Sequence, residues 1–210
     1  MNASVDLLKR LHWLGHASFR LDGPPTIYFD PWKLKGRHPQ ADVILVSHEH
    51  HDHCSPKDVK QISGPGTVIV ASRGAAKKLR GNVRALRPGE RTTVGEVEIE
   101  AVPAYNVEKR FHPRQAEHVG FIVTLRRERL YFAGDTDRTP EMANVRCDVA
   151  LLPVGGTYTM DAEEAAQAAA DIGPKVAVPM HYGAGVVGTR ADAERFRSLY
   201  HGEVVILEAE

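Results

Sequence analysis

The densest cluster of chemically active side chains is the segment 47–56, which reads SHEHHDHCSP. In an extended backbone, residues two apart project to the same side, so His48 and His50 can share one cation. Asp52 and His53 follow where the chain turns into the next helix, so they can face a second cation. Imidazole and carboxylate donors of this kind suit Zn, Mn or Fe(II). The spacing therefore predicts a two-metal centre, with Asp52 as the candidate for orienting a nucleophilic water or accepting its proton.

Two more candidate ligands follow strand-like segments far along the chain. Asp135 ends the segment LYFAGD and comes after Gly134, where the backbone can turn sharply, so its carboxylate could bridge two cations. His181 follows VAVPM and precedes Tyr182. Side chains at the ends of strands sit on loops that can converge at one edge of a sheet. We therefore expect Asp135 and His181 to join the cluster.

Short segments rich in β-branched and aromatic residues predict the strands that position these ligands. The predicted strands cover residues 11–15, 17–21, 26–30, 42–47, 67–72, 97–104, 118–125, 129–135, 149–154, 175–180 and 203–209. The predicted helices cover residues 56–62, 72–79, 163–172 and 191–200. The early half is rich in strands and the later half alternates strand with helix. This order favours an α/β fold, a four-layer αββα sandwich in one domain spanning residues 1–210.

The composition disfavours several classes of protein. Among 210 residues there are 27 basic and 27 acidic side chains, a balance that argues against a general nucleic-acid binder. No apolar run is long enough to span a membrane, and the N-terminal segment lacks the apolar stretch of a secretory signal. The two cysteines, Cys54 and Cys147, form no disulfide framework. We expect a cytoplasmic protein acting on a small molecule, with oligomer formation left open.

Several segments together resemble the metallo-β-lactamase superfamily, in particular its short, stand-alone hydrolases related to the ascorbate-phosphate lactonases and N-acyl-phosphatidylethanolamine phospholipase D. The segments are WLGHASF (13–19), IYFDP (27–31), SHEHHDH (47–53), YFAGDTD (131–137), LLPVGGTYTMDAEEAA (151–166) and VPMHYG (178–183). The resemblance implies the metallo-β-lactamase fold and hydrolysis assisted by two divalent cations. Zn is the first candidate, with Mn or Fe as alternatives.

The resemblance also implies roles for individual residues. The superfamily's metal ligands are matched by His48, His50, Asp52, His53, Asp135 and His181. Among these, Asp135 matches the carboxylate shared by both cations. Asp30 matches a buried carboxylate that supports the metal loop without binding metal. His16 matches a Gly-His pair near the start of this branch, which implies a place beside the site.

The superfamily's third metal-binding segment is where this chain departs from the pattern. Many relatives carry a His just after the Pro-Ala at 103–104, where this chain has Tyr105 and Asn106. The nearest downstream candidates are His112 and His118. We favour His112, because a loop His can reach the cluster whereas His118 begins a predicted strand. A position filled by water or by Asn106 remains the alternative.

Other polar side chains could shape the pocket. Lys109, Arg110 and Arg114 flank His112 and would suit an anionic substrate such as a phosphate, although the pattern slightly favours a solvated basic loop. Tyr158 could reach the pocket through its phenol or simply pack. Cys54 is interpreted as a small buried residue and not as a nucleophile.

We expect a metal-activated water to hydrolyse a small ester, lactone or phosphodiester. One alternative is a nuclease of the same fold, which the neutral charge and short chain disfavour. Another is a non-catalytic, metal-binding regulatory protein, which the nearly complete set of ligands disfavours.

Overall fold

Two six-stranded sheets carry the candidate ligands. The computed structural model describes residues 5–210. The strands of the first sheet, in spatial order, are β1 (Leu11–Gly15), β2 (Ser18–Leu21), β3 (Ile27–Phe29), β4 (Val43–Val46), β5 (Val68–Ser72) and β6 (Asn82–Leu86). Those of the second sheet are β12 (Val176–Met180), β11 (Val149–Pro153), β10 (Glu128–Phe132), β9 (Val119–Leu125), β8 (Val97–Pro103) and β7 (Arg91–Val94).

The direction of the strands brings the candidate ligands to one edge. Strands β3 to β6 run parallel to one another, and so do β10 to β12, whereas the remaining neighbours pair antiparallel. Parallel strands end at the same edge of a sheet. Asp30 and His48 therefore follow β3 and β4 in the first sheet, while Asp135 and His181 follow β10 and β12 in the second.

Within residues 5–210, five helices complete the layers. They are α1 (Asp6–Lys9), α2 (Pro56–Ile62), α3 (Arg73–Ala76), α4 (Ala162–Ile172) and α5 (Arg190–Leu199), with short 3-10 turns at Arg114–Ala116 and Pro140–Asn144. None of the helices in residues 5–210 is long and apolar enough to cross a membrane.

Both faces of the central strands β3, β4 and β5 of the first sheet are buried, which explains their continuous apolar sequences. Along β4, Val43 and Leu45 belong to the large apolar core that also includes the second sheet, whereas Ile44 and Val46 pack in a smaller cluster with α2 and α3. On the other side of the molecule, α4 contacts β11 and α5 contacts β12. The predicted αββα sandwich is confirmed.

The last predicted strand, residues 203–209, is wrong. Val204 and Ala209 make only isolated bridges, one to Ala177 in the second sheet and one to Trp13 in the first. Because this segment passes from one sheet to the other, it forms a continuous ladder with neither. The predicted helix over 72–79 is also too long, since α3 ends at Ala76. Residues 1–4 of the predicted domain lie outside the described residues.

Candidate metal centre

The metal loop after β4 folds back on itself, and this separates its ligands into two groups. The backbone N–H groups of His53 and Cys54 both donate to the carbonyl of His50, at 3.1 and 2.8 Å. Ser55 then caps α2 by accepting from the N–H of Asp58 at 3.3 Å. Asp52 and His53 consequently fall in a different group of potential ligands from His50.

The first donor group consists of three imidazoles, from His48, His50 and His112. His48 Nε2 lies 3.0 Å from His50 Nδ1, and His112 Nε2 lies 3.2 Å from the same atom. His48 and His112 are buried, while His50 is partly exposed and forms the open side of the group. Of the two candidates for the third segment, His112 is the one that the fold brings into this group.

The second donor group contains Asp52, His53, His181 and His16, all with ligand atoms within 4.8 Å of one another. His16 Nε2 lies 3.1 Å from Asp52 Oδ2, and its ring centroid lies 4.1 Å from that of His181. His16 sits in the turn between β1 and β2 with a positive φ of 56°, a conformation that non-glycine residues adopt with strain. Its carbonyl accepts from the N–H of His181 at 2.9 Å, which ties the two loops together.

Asp135 lies between the two groups. Its Oδ2 is 3.1 Å from His181 Nε2 and 3.4 Å from His112 Nε2, and its Oδ1 is 3.2 Å from His53 Nε2. Gly134 precedes it with φ 65°, and a Cβ there would come within 3.0 Å of the Val119 carbonyl. Only glycine therefore lets the chain deliver Asp135 to this position without strain.

Asp30 supports both donor groups, directly through His53 and indirectly through Ser47, which contacts His48. It is fully buried, and its Oδ2 accepts a hydrogen bond from His53 Nδ1 at 2.7 Å. Ser47 donates its hydroxyl to the same oxygen at 2.5 Å, and Ser47 Oγ lies 2.9 Å from His48 Nδ1. These contacts fix which ring nitrogen of His53 and of His48 faces the centre, as outer partners of metal-binding histidines do. The sequence indicated Asp30 for this position but gave no sign of Ser47.

A second support, which sequence reasoning missed, holds His112. Asn106 Oδ1 accepts from the backbone N–H of His112 at 2.9 Å and lies 3.2 Å from its Nδ1. Asn106 in turn donates to buried Asp137 at 3.0 Å. Asp137 also accepts from the N–H of Val107 at 2.9 Å and from the ammonium of Lys109 at 2.6 Å. Asn106 thus lies behind His112 instead of replacing it.

The remaining polar candidates lie around the cluster. His118 Nε2 is 3.4 Å from Glu49 Oε2, and its ring centroid is 4.9 Å from that of His48. The ring of Tyr158 packs edge-on against Phe111, while its carbonyl lies 3.2 Å from His112 Nδ1.

The basic residues of the third segment differ in their contacts. Arg114 pairs with Glu141 at 2.7 Å, and Arg110 is exposed. Cys54 is buried in the apolar cluster beside α2, and burial raises the pKa of its thiol to about 11. This agrees with its interpretation as a packing residue.

The electrostatics favour the metal-binding form of His16, His112 and Asp135. Burial lowers the pKa of His16 and of His112 to about 4, so both rings are neutral at pH 7. Burial disfavours the ionised form of Asp135, but the neighbouring His181 and His53 outweigh this and hold its pKa well below the ordinary value. Neutral imidazole and ionised carboxylate are the forms that bind metal. At His53, burial lowers the pKa, but the carboxylates of Asp135 and Asp30 outweigh it and raise that pKa well above its ordinary value.

The donor set fits divalent cations. Bonds of about 2.1 Å in a tetrahedral site place neighbouring ligand atoms about 3.4 Å apart, close to the 3.0–3.4 Å separations within the cluster. His53 Nε2 and Asp135 Oδ1 are buried without a hydrogen-bond partner. Buried polar atoms are rarely left unsatisfied, and a cation between these two would satisfy both.

Comparisons with known proteins agree with this arrangement. The beta-lactamase superfamily domain matches residues 10–181, a range that includes every donor of the cluster. A UPF0173 metal-dependent hydrolase of Thermoplasma acidophilum is 33% identical over 204 residues, covering 90% of both proteins. Another, from Methanoculleus marisnigri, is 37% identical over 185 residues, covering 82% of this chain and 80% of the relative.

A solved structure gives the same result in three dimensions. The crystal structure assigned to a metal-dependent hydrolase of Parabacteroides distasonis superposes with a TM-score of 0.83 at 34% identity, covering 95% of this chain and 93% of that one. The chain therefore belongs to the beta-lactamase superfamily and, within it, to the UPF0173 metal-dependent hydrolases.

Proposed function

We propose that the chain hydrolyses a small ester, lactone or phosphodiester with the help of two divalent cations, of which Zn is the first candidate and Mn or Fe the alternatives. The observation that carries this proposal is the pair of donor groups that share Asp135. His48, His50 and His112 would hold one cation. Asp52, His53 and His181 would hold the other.

Divalent cations, when bound, supply the Lewis acidity that makes water nucleophilic near neutral pH and stabilises negative charge on the substrate. The chain's own residues supply the positioning. Asp52 is ionised, because the hydrogen bond from His16 and the nearby His53 outweigh its burial and hold its pKa far below the usual range. It can therefore accept a hydrogen bond from the attacking water and orient it. We propose that it also takes up the proton that this water releases and returns it to the leaving group.

His16 acts through Asp52 in this proposal. Its Nε2–H would donate to Asp52 Oδ2 across the 3.1 Å contact, so that the carboxylate keeps one orientation. Asp30, Ser47 and Asn106 hold the imidazole rings from behind. The free thiols of Cys54 and Cys147 are compatible with the reducing cytoplasm, where we place the protein.

The test is metal analysis followed by a substrate panel. We expect close to two transition-metal equivalents in the purified protein and turnover of at least one activated lactone, ester or phosphodiester. His181→Ala should lose metal and activity, whereas His201→Ala, which removes an exposed imidazole outside the cluster, should lose neither. Absence of metal after supplementation with Zn or Mn would overturn the proposal. Cleavage of oligonucleotides without turnover of small substrates would replace it with a nuclease.

A further inference from the structure

A cleft of about 540 Å³ lies beside the second donor group. Its wall includes Gly15, which precedes His16, and Gly183, which follows His181 by two residues. Trp32 also lines it, and the Trp32 ring centroid lies 5.2 Å from that of His16. The cleft therefore shares its wall with two of the turns that carry the donors.

The loop between β3 and β4 places three cations along this cleft, from Lys33, Lys35 and Arg37. Among the described residues, no carboxylate oxygen lies within 4.0 Å of the charged side-chain nitrogens of these three residues, since Asp58 binds only the backbone N–H groups of Lys33 and Leu34. The Lys33 ammonium instead sits 4.0 Å from the centre of the Trp32 ring and donates to the carbonyl of Ala184 at 3.4 Å. The cleft thus carries positive charge that the fold leaves without a counterion.

The acidic side chain that reaches this cleft does not neutralise these cations. Glu210 lines the cleft, but its carboxylate is bound by Arg20 at 3.0 Å and by His12 at 2.5 Å. The β3–β4 loop cations therefore remain available to an anion that enters from solvent.

Two of the three basic residues near His112 are paired with carboxylates of the protein, whereas Arg110 is exposed. Lys109 is held by Asp137 at 2.6 Å and by Glu164 at 3.6 Å. Arg114 is likewise paired with Glu141. The positive charge near His112, where the sequence suggested an anionic substrate, is therefore largely balanced by carboxylates of the protein. The positive charge of the cleft is not.

We propose that this cleft binds an anionic group, a phosphate or a carboxylate, on a small-molecule substrate whose reacting bond lies at the metal cluster. This inference rests on the proposed function. An oxyanion would relieve the mutual repulsion of the three cations and accept charge-assisted hydrogen bonds from them. Because the cations are exposed, their contribution to the affinity for the anion falls as the ionic strength rises.

The first experiment measures binding without catalysis. Inorganic phosphate and acetate are titrated calorimetrically into the metal-loaded protein and into the triple variant Lys33→Gln, Lys35→Gln, Arg37→Gln. Each of the three exposed cations contributes weakly, and removing all of them should lower the affinity by about tenfold. The probe whose affinity falls further identifies the preferred anion.

A charge-matched control separates the cleft from the net charge of the protein. Lys9→Gln, Arg126→Gln and Arg127→Gln also remove three exposed positive charges. The turn at 126–127 precedes β10, at the opposite end of that strand from Asp135. Anions that bind only at the metals would bind equally to both triple variants, and that result would overturn the proposal.

The second experiment compares a neutral substrate with an analogue that carries a phosphate or carboxylate away from the reacting bond. The ratio of kcat/KM for the anionic substrate to that for the neutral one should fall about tenfold in the cleft variant, but not in the control. An equal ratio in both variants counts against the cleft. If the wild type turns over no member of the substrate panel, the proposed function fails, while calorimetry still decides whether the cleft binds anions.

Discussion

The two donor groups of the centre are built on different kinds of support. In the second group, His53 rests directly on buried Asp30, and His181 follows immediately on a strand. A Cβ at Gly155 would come within 2.6 Å of the His181 carbonyl, so the chain packs tightly around that residue. In the first group, His112 lies in the irregular segment between β8 and β9 and is oriented by Asn106.

This difference suggests that the two positions differ in affinity. A ligand fixed by strands and a buried carboxylate loses little freedom when a cation arrives, so binding there is preorganised. A ligand on a loop depends on the side chains that hold the loop. We therefore expect the second position to bind its cation more tightly than the first.

Asp135→Ala gives the largest expected effect, because this carboxylate belongs to both groups. Metal removal by a chelator should lower the Tm of the wild type by roughly 10 °C, since a ligand at about 1,000 times its Kd stabilises by about 4 kcal/mol and a domain of this size shifts about 2–4 °C per kcal/mol. The variant's Tm should not respond to the chelator. Differential scanning calorimetry checks this, with Asp6→Ala, an exposed carboxylate, as the control. A chelator response like that of the wild type would remove Asp135 from the centre.

His112→Ala should affect the first group alone. The variant should keep one tightly bound metal equivalent and lose the other. Its turnover should fall by roughly 10²–10³-fold, as for the loss of a group that stabilises the transition state. His118→Ala is the matched comparison, because this buried imidazole contacts Glu49 and the rings of the same group without entering it. Metal analysis of both variants decides between them. Loss of metal from the His118 variant alone would reverse the assignment of the third segment.

Local spacing is sufficient to predict most of this centre. The run from His48 to His53 brings four donors into one loop, and the positions of Asp135 and His181 after strands direct both to the same edge. Helix α2 begins and ends where its capping Ser55 and its apolar pattern indicate. The resemblance to the superfamily contributes Asp30 and His16.

What the sequence could not predict depends on tertiary contacts. Asp137 supports His112 through Asn106, yet Asn106 and Asp137 are 31 residues apart in the sequence. The polar edge strands β6 and β7 were missed, because strands at a sheet edge need not carry an apolar pattern. The charges near the site show the same limit: Lys109 and Lys33 look alike in sequence, and only the fold shows that the first is paired.

Asp30→Asn tests whether both groups share one support. An amide has one accepting oxygen. Either the backbone N–H of Ser47, which now donates to Oδ1 at 2.7 Å, or both His53 Nδ1 and the Ser47 hydroxyl, which share Oδ2, therefore lose their acceptor. Loss of an outer partner lowers metal affinity by about 10–100-fold, and we expect most of the decrease at the second position, which Asp30 contacts directly. Ser47→Ala should instead weaken the first position, since Ser47 lies beside His48. Competition with a chelator resolves the metal affinities of the two positions. Equal decreases at both positions in both variants would contradict the assignment of Asp30 mainly to the second position and Ser47 to the first.

Asn106→Ala should give the smallest effect and bears most directly on the difference in support. Removing its side chain takes an acceptor from the backbone N–H of His112 and a partner from its ring, so affinity at the first position should fall by about tenfold, the lower end for such partners. The second position should be unchanged, because none of the described contacts of Asn106 reaches Asp52, His53 or His181. Asn144→Ala, at an exposed asparagine, serves as the control. If competition titrations show the tighter site weakened instead, the loop does not limit binding and the preorganisation argument is wrong.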